Sequence, residues 1–236
     1  MPNTFFKFKQ FTVHHELCAM KVNTDGVLLG AWASSENPQL ILDVGTGSGL
    51  IALMLAQRFF QSSLVGIDVD AGAFCQSEIN FSQSPWAERV RAEHISLQDF
   101  SLSTQRKFDL IVSNPPFFNN SLKNPSKERT MARHTDSLSH EELLVYAKKL
   151  LTRSGSLCLV LPSSLHDEVC QMAISLGFFH ARTCFVHPTQ RHEAKRVLLR
   201  FDVQKTNFYS SHLIIETDQR HCYTNDFKAL TSDFYL

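Results

Sequence analysis

The segment best suited to chemistry is the tetrapeptide at 114–117, which reads Asn114, Pro115, Pro116 and Phe117. It follows an apolar, β-branched run at 108–113 that is typical of a buried parallel strand. The Asn114 side-chain oxygen and the Pro115 carbonyl can each accept a hydrogen bond, and an exocyclic amino group has two hydrogens to offer. Phe117 can stack on a base, an interaction worth about 1–3 kcal/mol. The tetrapeptide therefore predicts a catalytic site that holds a planar, nitrogen-bearing substrate.

Two acceptors in this geometry favour chemistry at the amine itself. The lone pair of an adenine amine is delocalised into the ring, and two well-placed acceptors favour a pyramidal nitrogen with a localised lone pair. Such a nitrogen can attack an electrophilic methyl group without a strong general base, because the proton can leave after the methyl group has arrived. Positioning and electrostatic preorganisation would then be the main catalytic contributions.

A glycine-rich turn at 43–49 follows the apolar run at 40–44 and has the spacing D-x-G-x-G-x-G. A dinucleotide-binding turn has the spacing GxGxxG and approaches a pyrophosphate. Here Asp43 precedes the first glycine, and its carboxylate would repel a pyrophosphate but attract a cationic amino-acid ligand. No Lys-Ser or Lys-Thr follows, so the Walker pattern is absent. The turn resembles motif I of class I methyltransferases, which implies S-adenosylmethionine as the cofactor and methyl donor.

Two further strand ends extend the cofactor prediction. Asp68 ends a second apolar run, where a carboxylate can accept both ribose hydroxyls of an adenosine. Its alternative role, capping the next helix, suits Asp70 better. After a third run, Ser96 occupies the position at which class I methyltransferases usually have an adenine-binding Asp. Ser96, the Leu97 backbone or Asp99 could take this role, and the sequence leaves these alternatives open.

Apolar runs alternate with helical patterns along most of the chain, which predicts a mainly parallel sheet with right-handed crossovers. The expected class is α/β: a Rossmann-like class I methyltransferase fold with a mainly parallel seven-stranded sheet, an antiparallel edge strand and helices on both faces. A single domain is predicted over 1–236. Residues 1–38 are expected to form a hairpin and a helix, capped by Thr24 or Asp25, that pack over the cofactor site.

Composition bounds the class of protein. The 236 residues include 23 Lys and Arg against 23 Asp and Glu, which excludes a uniformly basic RNA-coating surface but not a local basic patch. The six cysteines include no CxxC pair and are typical of buried thiols in a reducing compartment; no metal site is predicted. The amino terminus lacks the apolar core of a signal peptide, and no segment approaches the length of a membrane span. We expect a cytoplasmic protein with no DNA or membrane partner and no obligate protein partner.

Several further segments indicate the substrate of the enzyme. They are 8–11, 19–22, 24–32, 84–87, 132–134 and 233–236, together with Arg129. They resemble a bacterial family of tRNA adenine-N6 methyltransferases that modify adenosine 37 beside the anticodon of a valine tRNA. The resemblance covers nearly the whole chain, and its most specific part is K-x-x-T-D-G-x-L-L-G-A-W at 21–32. It implies a tRNA substrate and places three residues of this segment in the cofactor pocket. The full set of cofactor-site residues is then Lys21, Thr24, Asp25, Asp43, Gly45, Thr46, Gly47, Asp68, Val69, Ser96, Leu97 and Asn114.

Two basic clusters are candidates for contact with RNA phosphates. The first lies in the loop after the tetrapeptide and consists of Lys123, Lys127, Arg129 and Arg133. The second consists of Arg191, Lys195 and Arg196. For each cluster the alternative is a solvated surface without RNA.

Other functions also fit the tetrapeptide, because guanine and a glutamine amide present a planar nitrogen too. A protein glutamine N5-methyltransferase would normally carry a separate helical domain before the catalytic one, and only a short segment precedes the glycine turn here. An rRNA guanine-N2 methyltransferase usually has a duplicated or added domain. A non-catalytic RNA-binding module would not need both the tetrapeptide and the glycine turn.

Overall fold

The computed structural model describes residues 3–115, 138–219 and 221–235. A two-stranded hairpin comes first and consists of β1 (Phe5–Lys7) and β2 (Thr12–His14). The central sheet consists of β3 (Leu40–Val44), β4 (Ser63–Asp68), β5 (Val90–His94), β6 (Phe108–Ser113), β7 (Leu151–Pro162), β8 (Phe179–Thr189), β9 (Arg196–Asp202) and β10 (Tyr209–Glu216). The helices are α1 (Thr24–Trp32), α2 (Leu50–Arg58), α3 (Ala71–Ser82), α4 (Leu97–Ser103), α5 (His140–Leu150), α6 (His166–Ser175) and α7 (Asn225–Thr231).

The strand order across the central sheet is β10-β8-β9-β7-β6-β3-β4-β5. β3 pairs in parallel with both β4 and β6, so the order of the chain reverses on either side of β3. Val44 is in register with Ile67 of β4 and with Ser113 of β6. Ligands of such sheets bind outside the carboxyl ends of the strands at this kind of reversal. The residues that directly follow Val44, Ile67 and Ser113 therefore lie on one edge of the sheet.

Helices cover both faces of the sheet because neighbouring strand residues belong to different apolar clusters. Ile41 packs in a buried cluster with α1, α2 and α7, whereas the adjacent Leu42 packs in a second cluster with α4, α5 and α6. Leu110 and Ile111 of β6 divide in the same way. The two-layered burial explains why these strands read as continuous apolar runs in the sequence.

The structure confirms the predicted α/β class and corrects its details. The sheet has eight strands instead of seven, because β10 adds to β8 in parallel at the edge. The antiparallel strand is β9, and it lies inside the sheet between β7 and β8 instead of at the edge. The crossover through α6 leaves a gap one strand wide between β7 and β8. A short loop then returns the chain into that gap as β9, which requires the antiparallel direction.

Two helix starts also differ from the sequence prediction. The cap of α1 is Asn23, whose side-chain oxygen accepts a hydrogen bond from the Gly26 amide at 2.9 Å, so neither Thr24 nor Asp25 has that role. The pattern after β5 did not predict α4, a helix of seven residues that is capped by Ser96. A helix this short shows too few turns for a clear apolar period.

The amino-terminal hairpin packs against a segment near the other end of the chain. The Lys9 amide donates to the Phe234 carbonyl at 2.9 Å, and Lys9 Nζ donates to the Ser232 carbonyl at 2.6 Å. The rings of Phe8 and Tyr235 stack with centroids 6.1 Å apart. Of the helices in the described residues, none combines the length and the apolar character that crossing a bilayer would require.

Candidate active site

The glycine turn presents its backbone to open space. Gly45 and Gly47 have φ values of 70° and 55°, a region that side chains other than glycine rarely adopt. A Cβ added at either position would meet nothing within 4 Å. The Gly45 and Thr46 amides donate to the Ile67 carbonyl at 2.9 and 3.0 Å, which fixes the turn against β4. A ligand can therefore approach the backbone closely at both glycines.

Asp43 lies beneath the turn and is 1 % exposed. Its Oδ2 accepts hydrogen bonds from Thr46 Oγ1 at 2.8 Å and from the Ala52 amide at 3.2 Å. Its Oδ1 is buried and has no hydrogen-bond partner among the described residues. Burial raises the pKa of Asp43 to about 7, and the Asp68 carboxylate adds to that rise. A cationic ligand would give Oδ1 a partner and favour the ionised form.

Gly66 explains how Thr46 reaches Asp43. Gly66 is in register with Asp43 on the neighbouring strand, and a Cβ added there would lie 2.6 Å from Thr46 Oγ1. Any side chain at this position would push Thr46 away from the carboxylate. The missing side chain on β4 is thus part of the support for the turn.

Asp68 ends β4 on the same edge and is partly exposed. Its Oδ2 accepts from the Gly47 amide at 2.8 Å, and its Oδ1 accepts from the Asp70 amide at 3.0 Å. Asp70 caps α3 by accepting from the Ala73 amide at 2.7 Å, as the sequence predicts. Each Asp68 oxygen keeps lone-pair capacity for a further donor. Asp68 therefore joins the glycine turn to β4 and still offers a carboxylate to a ligand.

Asn114 follows β6 directly and lies beside the glycine turn. Because Ser113 is in register with Val44, Asn114 and Gly45 continue neighbouring strands, which are about 5 Å apart. Ser113 Oγ donates to the Val44 carbonyl at 2.8 Å and holds the two strand ends together. Asn114 Oδ1 is buried and has no hydrogen-bond partner among the described residues. A buried acceptor of this kind is costly until a donor reaches it.

The candidates on the far side of the edge form the start of α4. Ser96 Oγ accepts from the Asp99 amide at 3.0 Å and donates to Asp99 Oδ2 at 2.7 Å. The Ser96 hydroxyl is therefore engaged in capping the helix. Leu97 is buried, whereas Val69 is 61 % exposed beside Asp68. The edge thus carries one exposed apolar side chain next to the partly exposed carboxylate.

Lys21, Thr24 and Asp25 lie at the start of α1. A Cβ added at Gly26 would be 3.0 Å from Leu50 Cδ2, so this helix start packs against the start of α2, which follows the glycine turn. Lys21 and Thr24 are exposed. Asp25 Oδ2 lies 2.8 Å from Nε of Arg196 on β9. The structure therefore places Asp25 in an ion pair.

The Asp25–Arg196 ion pair lies in a groove with a volume of about 500 Å³. Thr24 and Lys195 line the same groove, whose apolar part includes Val186 and Ile215.

Six predicted residues lie outside the described part of the chain, and they are Pro116, Phe117, Lys123, Lys127, Arg129 and Arg133.

Two polar residues that sequence reasoning missed connect the amino-terminal segment to this site. Asn80 of α3 is 1 % exposed, and its Nδ2 donates to the carbonyls of His14 and Ser48, both at 2.7 Å. Its Oδ1 accepts from the His14 amide at 3.0 Å. Gln76, one turn earlier and also buried, accepts from the Leu17 amide at 3.1 Å. Polar residues four positions apart on the buried face of a helix were the available signal.

Known proteins match this chain in sequence and in fold. The family model described as methyltransferase small domain matches residues 20–181. A protein of Parabacteroides distasonis named tRNA1(Val) (adenine(37)-N6)-methyltransferase is 47 % identical over 100 % of this chain and 99 % of its own length. A protein of the same name from Trichodesmium erythraeum is 43 % identical over 98 % of this chain and 97 % of its own. A crystal structure of a predicted O-methyltransferase from Agrobacterium tumefaciens has a TM-score of 0.68 at 16 % identity, covers 89 % of this chain and 96 % of that chain, and shows the fold alone.

The fold, the glycine turn and the family match together define a class I methyltransferase. The full-length relatives narrow this class, because their identity extends over the amino-terminal segment and the last strands as well. The chain belongs to the methyltransferase small domain family and, within it, to the family of tRNA1(Val) (adenine(37)-N6)-methyltransferases. The resemblance stated from the sequence segments is thereby confirmed.

Proposed function

We propose that this protein uses S-adenosylmethionine to methylate the exocyclic N6 of adenosine 37 in tRNA1(Val). The observation that carries the proposal is the buried, unpartnered Oδ1 of Asn114 on the strand beside the glycine turn. An acceptor in that place suits an amino group that must meet a methyl donor. The names of the full-length relatives support the nucleoside, the position and the tRNA.

S-adenosylmethionine supplies an electrophilic methyl group on a sulfonium, and the residues at the sheet edge fit it. Gly45 and Gly47 leave room for a ligand, and Asp43 Oδ1 would pair with the ligand's ammonium group. Asp68 would accept the ribose hydroxyls, and the exposed Val69 would cover the adenine. The two carboxylates also favour a cofactor with net positive charge.

The amino group on the adenine of the cofactor needs a hydrogen-bond acceptor. We infer that Asp99 provides it, because the Ser96 hydroxyl already accepts and donates within the helix cap. The Leu97 amide, at the first position of α4, would remain as a donor for a ring nitrogen. This assignment selects one of the alternatives that the sequence leaves open.

Asn114 and the Pro115 carbonyl would each accept a hydrogen bond from the target amine. Both hydrogens of the amine are then bound, and its lone pair can point towards the methyl group. The chain's own contribution is positioning and a fixed electrostatic environment, so no side chain has to remove the proton before transfer. The stacking role of Phe117 and the rigid support from Pro116 stay predictions.

We also propose that the chain forms a single domain in which residues 1–38 cover the cofactor site. A Cβ added at Gly72, near the start of α3, would lie 2.6 Å from the Leu17 carbonyl, so the two segments are in close contact. Burial, together with the nearby carboxylates of Asp68 and Asp70, raises the pKa of Cys18 to about 11. Residues 17 and 18 therefore lie beside the proposed ribose site.

The tRNA would extend from Asn114 along the groove lined by Lys195 and Arg196. Arg196 is on β9, two strands from β6, which places it on the order of 10 Å from the end of β6. Lys195 is exposed and suits a phosphate contact. Lys123, Lys127, Arg129 and Arg133 remain predicted phosphate contacts. With a tRNA substrate and free cysteines throughout, we assign the protein to the cytoplasm.

Methylation of total tRNA with labelled S-adenosylmethionine tests the proposal directly. We expect N6-methyladenosine at position 37 of tRNA1(Val) after nuclease mapping. N2-methylguanosine in ribosomal RNA would support the guanine alternative instead. Labelling of a glutamine-containing peptide, with no labelled tRNA, would support the protein-substrate alternative.

Asn114→Ala should lower the turnover number by about 100-fold or more, because one preorganised acceptor for the target amine is removed. Cofactor affinity, measured by calorimetry, should stay within a few fold of the wild-type value. The matched control is Asn207→Ala, which removes an exposed amide far along the chain. Turnover near that of the control at saturating tRNA would show that Asn114 is only a turn residue.

A further inference from the structure

Three potential metal ligands come together on α6 and β8, away from the methyltransfer site. Cys170 Sγ and one ring nitrogen each of His166 and His180 all lie within 4.8 Å of one another. Cys170 Sγ is 3.9 Å from His180 Nε2. In tetrahedral zinc sites, with Zn–N near 2.0–2.1 Å and Zn–S near 2.3 Å, ligand atoms are about 3.4–3.6 Å apart. Small side-chain rotations would bring the three atoms to that spacing.

The neighbouring residue Asp167 orients the His166 ring so that it can bind a metal. Its Nδ1 lies 2.7 Å from Oδ1 of Asp167, whose side chain is 89 % exposed. This pairing turns Nδ1 towards solvent, while Nε2 is buried without a hydrogen-bond partner among the described residues. A carboxylate on one ring nitrogen fixes the tautomer and leaves the lone pair on the other nitrogen for a metal. A buried, unpartnered imidazole nitrogen is otherwise an unfavourable arrangement.

Aromatic side chains surround the three potential ligands. The His166 ring centroid lies 5.1 Å from that of Phe185, and the His180 centroid lies 4.7 Å from that of Phe208. His180 Nε2 is also 2.7 Å from Thr183 Oγ1, a hydrogen bond that metal binding would replace.

We propose that His166, Cys170 and His180 bind a borderline-soft divalent cation, with Zn²⁺ as the preferred ion and water as the fourth ligand. One thiolate and two imidazoles are the ligand types that zinc accepts, whereas magnesium and calcium prefer oxygen. On binding, the S–H bond of Cys170 breaks, its proton goes to solvent and a Zn–S bond forms. The ion would fasten α6 to β8 and stabilise the part of the sheet that does not carry the glycine turn. The inference is independent of the proposed methyl transfer.

The test uses the full chain after chelator treatment and dialysis. Zn²⁺ titrated in competition with a chromophoric chelator should bind with one equivalent per chain and raise the melting temperature by several degrees. Co²⁺ in place of Zn²⁺ should give a thiolate-to-metal charge-transfer band in the near ultraviolet. Cys170→Ser should abolish that band and weaken Zn²⁺ binding by about 100-fold or more, and Asp167→Asn should weaken it by about 10–100-fold.

Two control variants separate this site from other thiols and imidazoles. Cys75→Ser removes an exposed thiol on α3, and His212→Gln breaks the exposed pair in which His212 Nδ1 lies 2.9 Å from His187 Nε2. Both should keep the stoichiometry and the Co²⁺ band. Absence of Zn²⁺ binding to the wild type, or binding that His212→Gln abolishes and Asp167→Asn leaves unchanged, would overturn the proposal. The Asp167 variant decides the outcome even where Cys170→Ser destabilises the fold, because Asp167 is exposed.

Discussion

The edge of the central sheet that carries the glycine turn is supported differently in the two halves of the sheet. At β3 and β4, the glycine turn is held by hydrogen bonds that involve its own backbone and short side chains on the turn and the neighbouring strands, as in the bond from Thr46 to Asp43. At β9, whose first residue lies on this edge because the strand is antiparallel, a side-chain support is the ion pair between Arg196 and Asp25, which are 171 positions apart. The first half is thus shaped by backbone geometry that one substitution can destroy. The second half is held by side chains whose loss should have graded effects.

Gly45→Val should produce the largest change. The variant forces a β-branched residue into a φ of 70° and fills the open space above the turn, so cofactor affinity should fall by at least about 100-fold. Calorimetry on the folded variant measures this. Unchanged affinity would remove the glycine turn from the cofactor site.

Gly177→Val is the matched control for that experiment. Gly177 follows α6 and has a φ of 78°, and an added Cβ would meet only the flexible end of the Lys148 side chain. The backbone strain of the two variants is similar, about 1–3 kcal/mol. The control should therefore lower thermal stability but keep cofactor affinity. Equal loss of affinity in both variants would mean that strain, and not the site, explains the result.

Asn80→Ala should have the next largest effect, because it leaves buried backbone groups of His14 and Ser48 without partners. We expect a loss of about 1–3 kcal/mol in the free energy of unfolding, measured by urea denaturation. Cofactor affinity should fall by several fold as the amino-terminal segment and the turn separate. Ser82→Ala, which removes an exposed hydroxyl on the same helix, is the control and should change neither quantity.

Asp43 should make cofactor binding depend on pH. Burial raises its pKa from the ordinary value of 3.8 to about 7 in the folded protein. Between these two pH values the folded state holds a proton that the unfolded state has lost. The free energy of unfolding should therefore fall as pH rises from about 4 to 7. A cationic cofactor favours the ionised form, so its affinity should rise about tenfold between pH 6 and 8. Asp43→Asn should flatten both slopes, and an identical slope in this variant would contradict the assignment.

The Asp25–Arg196 ion pair should show the smallest effect on stability. The two side chains are 15 % and 34 % exposed, and pairs that are accessible to water contribute about 1 kcal/mol or less. A double-mutant cycle with Asp25→Asn and Arg196→Met measures the coupling. In the same variants the KM for tRNA should rise by several fold. A coupling above about 2 kcal/mol, double the usual upper value for accessible pairs, would contradict the expected difference between the two halves.

Local sequence signals were sufficient for the first half of the sheet. The apolar runs at 40–44 and 108–113 became β3 and β6, because strands buried on both faces lack polar alternation. The glycine spacing indicated the turn because positive φ values select glycine. The cap of α5 also has a local sequence signal, since Ser139 and Glu142 have capping-box spacing and form that box in the structure.

The remaining features depend on contacts between distant segments. The placement of β9 between β7 and β8 follows from where α6 returns the chain, which no local pattern records. The sequence around Asn80 is that of an ordinary helix, and its role is visible only in the fold, where the hairpin residue His14 bonds to it. The proposed metal ligands His166 and Cys170 are four positions apart on one helix, but only the fold brings His180 to them. Contacts between residues that are distant in sequence leave no periodic pattern in a single sequence.

The contact between Lys9 and the segment at 232–234 has a consequence for the order of folding. The hydrogen bond from Lys9 Nζ to the Ser232 carbonyl closes a loop of 223 positions, and contacts with such separation form slowly because loop closure costs entropy. The glycine turn can form once β3 and β4 have paired, well before that closure. The hairpin would therefore settle last, and in refolding experiments competence to retain the cofactor should lag behind recovery of the sheet.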